Sequence, residues 1–161
     1  MEQKQKITEH FTLTEMTGSA ALEEFNKSHN TNHDNIPTTV EIEANLHHLC
    51  MQLEWLRAII GCPLTISSGY RSKYVNDLVG GSKTSLHKKG LAADVIIPLN
   101  KIPQFVTEAM NMPYTKEVFI SHKTGTRSTW VHLGVSTETQ DNCRVGIDVN
   151  GKVSACVHFK H

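Results

Sequence analysis

No stretch of the chain approaches the roughly 18 uninterrupted apolar residues that read as a bilayer-spanning helix, so a membrane role is not expected. An excess of charge of one sign is missing too. The 16 basic side chains balance 16 acidic ones and the pI lies near 7.1, which removes the cationic footprint that phosphate-backbone binding needs. Nucleic acid is therefore not an expected partner. The polar start, Met1 to Lys6, is not followed by the apolar block of a secretory signal. That fits a cytoplasmic product, a mature form or a protein exported by another route. Cysteines at zinc-knuckle or thioredoxin spacing are also absent, because Cys50, Cys62, Cys143 and Cys156 lie far apart. Two readings of them stand: four ordinary thiols, or a Cys143–Cys156 pair facing across a hairpin that turns at Asn150-Gly151. There is no internal repeat and no low-complexity tract.

What is present is length and apolar content. The 161 residues, 39% hydrophobic, suffice for one soluble domain, 1–161, with its own core. A polar segment from Asn26 to Thr38 reads as a loop separating an N-terminal strap from the body of the domain. From Val40 to Ile60, apolar residues recur every three or four positions, the spacing of one helical stripe, and Gly61 with Pro63 stops the helix. Leu64 to Ser67 reads as a short strand, Ser72 to Val79 as a short helix, Leu91 to Ile97 as a strand and Ile102 to Met112 as a helix. Beyond them the β-rich runs Val118 to Ser121, Trp130 to Val135, Val145 to Val149 and Val153 to Phe159 alternate with turn-forming stretches. Helices first and a meander of strands later predict an α+β fold, an antiparallel sheet packed against a few helices.

Chemistry concentrates in two places. His87 lies in a loop closed by Gly90, and seven residues later Asp94 sits inside an apolar strand, where a carboxylate is costly unless paired, hydrogen-bonded or bound to metal. His132 is likewise embedded in a core-like strand, on the same face as Trp130 and Gly134. Two imidazoles and one carboxylate gathered by a sheet make a three-ligand zinc site with a free fourth position, the arrangement that activates water. Singly, each residue also fits a hydrogen-bonded core position. The iron triad uses the same ligand types but typically separates its histidine and carboxylate by one residue, whereas six intervene between His87 and Asp94. His29, His33, His47, His48 and His161 have no partners at ligand spacing and are read as bystanders.

The strings Ser67-Ser68-Gly69-Tyr70-Arg71-Ser72, Val75-Asn76, Val79-Gly80-Gly81-Ser82, Ser85-x-His87-x-x-Gly90-x-Ala92-Ala93-Asp94 and Trp130-Val131-His132 follow one another in order. Together they resemble the zinc D-Ala-D-Ala carboxypeptidase family, in its branch of small phage and bacterial peptidoglycan peptidases with the Hedgehog/DD-peptidase fold. The stretches around His10 to Met16 and Asn45 to Leu64 resemble the same branch. The resemblance covers roughly residues 10 to 135, and 136 to 161 read only as two more strands. It implies zinc held by His87, Asp94 and His132, and a peptidoglycan stem peptide as substrate, contacted by Arg71, Ser85 and Tyr70. A guanidinium suits a substrate carboxylate through paired hydrogen bonds, although Arg71 also fits a surface cap before a helix. Ser85 is expected to shape the loop that carries His87. A monomer is expected, acting on the wall after release from a phage-infected cell or as part of a virion.

One departure matters. Hydrolytic members carry a Glu shortly before the last zinc ligand, yet the positions three and six before His132 are Thr129 and Thr126. If the strands flanking Thr124-Gly125 pair so that residue numbers sum to about 249 or 250, Glu117 or Val118 faces His132. Glu117 is then the leading candidate for general base and His122 the second, a neutral imidazole being able to accept the same proton. Losing a base commonly lowers the rate about 100- to 10,000-fold. Two functions are therefore expected in competition: metal-assisted amide hydrolysis of cell-wall peptides, by carboxypeptidase or endopeptidase cleavage, and a degenerate member that binds wall or serves as a scaffold.

Overall fold

Hydroxyl caps open the first three helices. Thr12 Oγ1 accepts the Glu15 N–H ahead of α1 (Leu13–Thr17), Ser19 Oγ accepts that of Leu22 ahead of α2 (Ala20–His29), and Thr39 Oγ1 accepts that of Ile42 ahead of α3 (Val40–Ile60). The computed structural model describes residues 5–160, Ala155 by its backbone alone. Helix α3 has the expected bounds, buries Leu46, Leu49, Leu53, Leu56 and Ile60 on one stripe, and ends at Gly61, whose φ of 70° is the left-handed cap geometry. Helices α1 and α2 correct the N-terminal reading. What looked like a strap is mostly helical, and the segment from Asn26 begins inside the last turn of α2. The periodicity is faint because Met16 in α1 and Leu22 in α2 are the only buried residues those helices contribute.

The rest of the chain builds one sheet and covers it. In order come β1 (Thr65–Ser68), α4 (Lys73–Leu78), a 3-10 turn (Leu86–Lys89), β2 (Ala92–Ile96), α5 (Ile102–Asn111), β3 (Thr115–His122), β4 (Thr129–Val135), β5 (Asn142–Val149) and β6 (Lys152–Lys160). The strands lie in the order β1-β2-β4-β3-β5-β6. The fold is α+β as expected, with one correction to the antiparallel sheet: β5 runs parallel to β3. Strand β4 already fills the space between β2 and β3, so the chain leaving it pairs at the free side of β3, and after two reversals it runs in the direction of β3. Helix α5 packs Phe105 and Ala109 toward Val118, Val131 and Leu133, joining the α3 stripe in one core cluster. Among the described residues no helix is long and apolar enough to cross a membrane.

Two registers differ from expectation. In the β3–β4 hairpin the Lys123 N–H donates to the Ser128 carbonyl, which leaves a four-residue loop rather than a turn centred on Thr124-Gly125, and Phe119 rather than Glu117 or Val118 stands opposite His132. In the β5–β6 hairpin the turn at Asn150-Gly151 sets Val149 opposite Lys152, a register that carries Cys143 well past Cys156, and with a further irregularity between Val145 and Ile147 Cys143 stands opposite Phe159. All four cysteines are free thiols.

The N-terminal segment is tied to α3 by one carboxylate. Glu54 Oε1 accepts the Thr8 hydroxyl at 2.8 Å and the His10 N–H at 2.7 Å, while Oε2 lies 2.7 Å from His10 Nδ1. Desolvation pushes this carboxyl up, but the His10 N–H, the His10 ring and Thr8 outweigh it and hold it below its ordinary value. A lowered folded-state value contributes stability above the ordinary carboxylate pKa and loses it as pH falls through the folded value. Glu54→Gln should cost about 1 kcal/mol at neutral pH, and urea midpoints of variant and wild type should converge in acid. A gap that is the same at both pH values would show that the charge of Glu54 contributes nothing.

Candidate metal centre

Asp94 on β2 and His132 on β4 stand directly opposite each other across neighbouring strands. Both point to the face of the sheet away from α5, because alternation along β4 sends Val131, Leu133 and Val135 into the core and leaves Trp130, His132 and Gly134 on the other side. His132 Nδ1 donates to Asp94 Oδ1 at 2.9 Å. His87 arrives from the 3-10 turn beside them. Its Nδ1–H donates to the Gly69 carbonyl at 2.7 Å, which leaves the Nε2 lone pair aimed at Asp94 Oδ1, 3.4 Å away. This second-layer bond selects the tautomer of His87.

Around this trio a second set of partners closes. Asp94 Oδ2 accepts Arg71 Nη2 at 2.9 Å, and Arg71 Nε donates to Ser68 Oγ at 2.8 Å. On the far side of the His132 ring, Nε2 donates to Glu117 Oε1 at 3.1 Å, and Glu117 Oε2 accepts Arg144 Nη1 at 3.2 Å. Glu117 pairs with Gly134 in the sheet, and a Cβ at 134 would lie 2.6 Å from Glu117 Cγ. The missing side chain is what lets Glu117 lie across β4 toward His132. Phe119 stacks on His132, their rings 5.7 Å apart and 10° from parallel.

Burial and charge oppose each other here. Desolvation pushes the Asp94 carboxyl up, but the facing imidazoles of His87 and His132 outweigh it and hold it far below the carboxylate range. Desolvation alone would lower His132; Asp94 and Glu117 on its two nitrogens instead raise it to about 9. For His87 desolvation wins over Asp94, so this ring is held neutral. Glu117 is pushed up by burial and held below its ordinary value by His132 and Arg144.

The ligand atoms fit a divalent ion. One atom each from His87, Asp94 and His132 lie within 4.8 Å of one another, and among the described residues no other group of three His, Cys, Asp or Glu side chains converges so. A tetrahedral ion with bonds near 2.0 Å sets its ligands roughly 3.3 Å apart, against 3.4 and 2.9 Å from Asp94 Oδ1 to His87 Nε2 and His132 Nδ1. Two imidazole nitrogens and one carboxylate oxygen suit zinc among the common divalent metals. The trio lies against a cleft of about 680 Å³ that also exposes Arg71, Ser85 and Trp130.

The remaining sequence-level candidates divide. Glu117 joins the centre diagonally across the hairpin, although the register that suggested it is not the observed one. Ser85 lines the cleft, but it makes no capping hydrogen bond to the turn that carries His87, contrary to the loop-shaping bond expected of it. Tyr70 is a correction: its ring is buried in the core cluster, 4% exposed, and does not line the cleft. His122 is another. Strand β3 turns Glu117, Phe119 and Ser121 to the cleft, so His122 lies on the opposite face, its Nδ1 3.3 Å from Thr129 Oγ1. Arg144, Ser68 and the Gly69 carbonyl were missed, since nothing local in the sequence marks a partner that acts through another residue.

Gly134→Ala should cost about 1–3 kcal/mol, because the added methyl must displace Glu117 Cγ and Leu86 Cδ1, both under 3.0 Å away. An unchanged urea midpoint would show that Glu117 has other room. A sequence model of the family described as Peptidase M15 matches residues 9–134, and no curated protein gives a significant match. With the trio that could hold a metal ion inside that span, the chain belongs to the peptidase M15 family, whose members are metallopeptidases.

Proposed function

We propose that the protein is a zinc-dependent peptidase hydrolysing an amide bond in the stem peptides of peptidoglycan, as a D,D-carboxypeptidase or an endopeptidase. The observation that carries this reading is the convergence of His87 Nε2, Asp94 Oδ1 and His132 Nδ1 beside an open cleft. His87 and His132 supply nitrogen and Asp94 supplies oxygen, leaving the cleft side of the ion to water and substrate. A divalent ion held there polarises a peptide carbonyl and makes a water molecule more acidic.

The chain's own groups then divide the work. The Gly69 carbonyl and Glu117 Oε1 hold the two rings through their other nitrogens. Arg71 fixes Asp94 through Oδ2, and three of its five N–H donors remain for a substrate carbonyl or carboxylate. The Ser85 hydroxyl offers a further polar contact in the cleft. Glu117 is the carboxylate we assign to take a proton from the attacking water and return it to the leaving amine; its environment keeps it ionised and ready to accept.

A second reading has one observation in its favour. Both oxygens of Glu117 are already engaged, Oε1 by His132 and Oε2 by Arg144, which suits a member that binds the wall without cutting it. Digestion of purified sacculi followed by mass spectrometry of the released muropeptides separates the two and identifies the bond. Hydrolysis predicts release that stops on chelation and with His132→Ala, and that falls about 100- to 10,000-fold with Glu117→Gln. Release that survives both chelation and His132→Ala would overturn the metal reading. Sacculi that bind the zinc-loaded wild type and remain uncut would leave the binding module.

A further inference from the structure

The family match ends at residue 134, but the cleft does not. Strands β5 and β6 extend the sheet past β3 and add Arg144, Asp148 and Val153 to its wall. Resting on the metal-centre reading above, we propose that Arg144 is a positioning residue for that centre: it fixes Glu117, which in turn fixes the ring of His132 and aims Nδ1 at the ion.

Three features set this arginine apart from an ordinary surface ion pair, which contributes little. First, its partner is not at the surface. The Glu117 side chain is 15% exposed, and the two residues are direct neighbours across the parallel β3–β5 pair, so the contact is built into the register. Second, the guanidinium carbon lies 5.4 Å over the Phe119 ring, and Phe119 stacks on His132. Arg144 therefore reaches the ligand ring by two routes, one through the carboxylate and one through the aromatic face. Third, among the described residues the hydrogen-bond partners of the Glu117 carboxylate are His132 Nε2 and Arg144 Nη1. Without Arg144 the carboxylate keeps one anchor and is free to rotate about it. His132 then loses the fixed acceptor of its Nε2 proton, the contact that would leave Nδ1 as the nitrogen offered to an ion.

Partners in the layer behind a metal ligand are worth about 10- to 100-fold in affinity. Arg144 acts one step further out and is partly exposed, so roughly 3- to 10-fold is expected. The measurement is the zinc dissociation constant of the metal-free protein, obtained by competition with a chromophoric chelator, for wild type, Arg144→Met, Arg144→Lys, Glu117→Gln and the Arg144→Met/Glu117→Gln double variant. Arg144→Met should weaken zinc by that factor while the metal-free protein melts with the wild type, and Arg144→Lys should recover part of the loss. The double variant should bind as Glu117→Gln alone does, because both changes cut the same chain of contacts. A merely structural arginine predicts otherwise: losses that multiply in the double variant, or a loss tracking the melting temperature with no recovery by lysine. Either result overturns the inference, as does zinc binding by Arg144→Met equal to wild type. Failure of the wild type to bind zinc at all would instead remove the metal-centre reading beneath it.

Discussion

The contact on which the site depends is the one between Asp94 and His132. A carboxylate in the middle of a central strand, 8% exposed, is among the costlier things to bury, and the fold keeps it only by surrounding it. Both of its oxygens are used, Oδ1 by His132 and Oδ2 by Arg71. With no ion present this is an ionic cluster in which the His132 imidazolium offsets the carboxylate. The same side chains would hold a divalent ion, whose charge would compensate the carboxylate in place of the Nδ1 proton. One arrangement thus serves the stability of the sheet and the affinity for metal.

How two similar rings come to play different parts follows from what holds their second nitrogens. His87 gives its Nδ1 proton to a neutral backbone carbonyl, and desolvation decides its state. His132 has a carboxylate at each nitrogen, and charge decides. The atoms nearest Asp94 Oδ1 are accordingly Nε2 on one ring and Nδ1 on the other, a choice no inspection of the residue types would disclose. It rests on which neighbour the sheet register supplies, Gly134 with its empty Cβ position being the one that lets Glu117 in.

This explains which parts were readable before any coordinates. The α3 stripe, the β4 alternation and the trio of His87, Asp94 and His132 are local patterns: a period of three to four, a period of two, and polar residues set in apolar strands. Each survives in the structure because burial enforces it. The partners of partners are different. Arg144 meets Glu117 only because β5 passes over to the free side of β3, and His122 misses the cleft because the observed pairing sets Phe119 opposite His132 and leaves His122 at the other parity of β3. Such facts reside in non-local pairing, and a one-residue change of register moves every side chain to the other face. The Cys143–Cys156 pairing fails on a local ground instead, since the turn that sets Val149 opposite Lys152 cannot bring those two positions face to face.

Tyr70 shows how a motif residue can serve the site without touching it. Its ring is sunk in the core, and its backbone is gripped on both sides: the N–H donates to the Met16 carbonyl at 2.7 Å, and the carbonyl accepts Asn35 Nδ2 at 2.8 Å. Asn35 also takes the Ser72 N–H on its own oxygen. The three-residue stretch so pinned contains the carbonyl that fixes His87 at one end and the guanidinium that fixes Asp94 at the other. Its approach to α1 is so close that a Cβ on Gly69 would stand 2.4 Å from the Met16 carbonyl oxygen. The N-terminal helices therefore belong to the metal centre mechanically. They hold the strip of backbone whose Gly69 carbonyl fixes His87 and whose Arg71 guanidinium fixes Asp94.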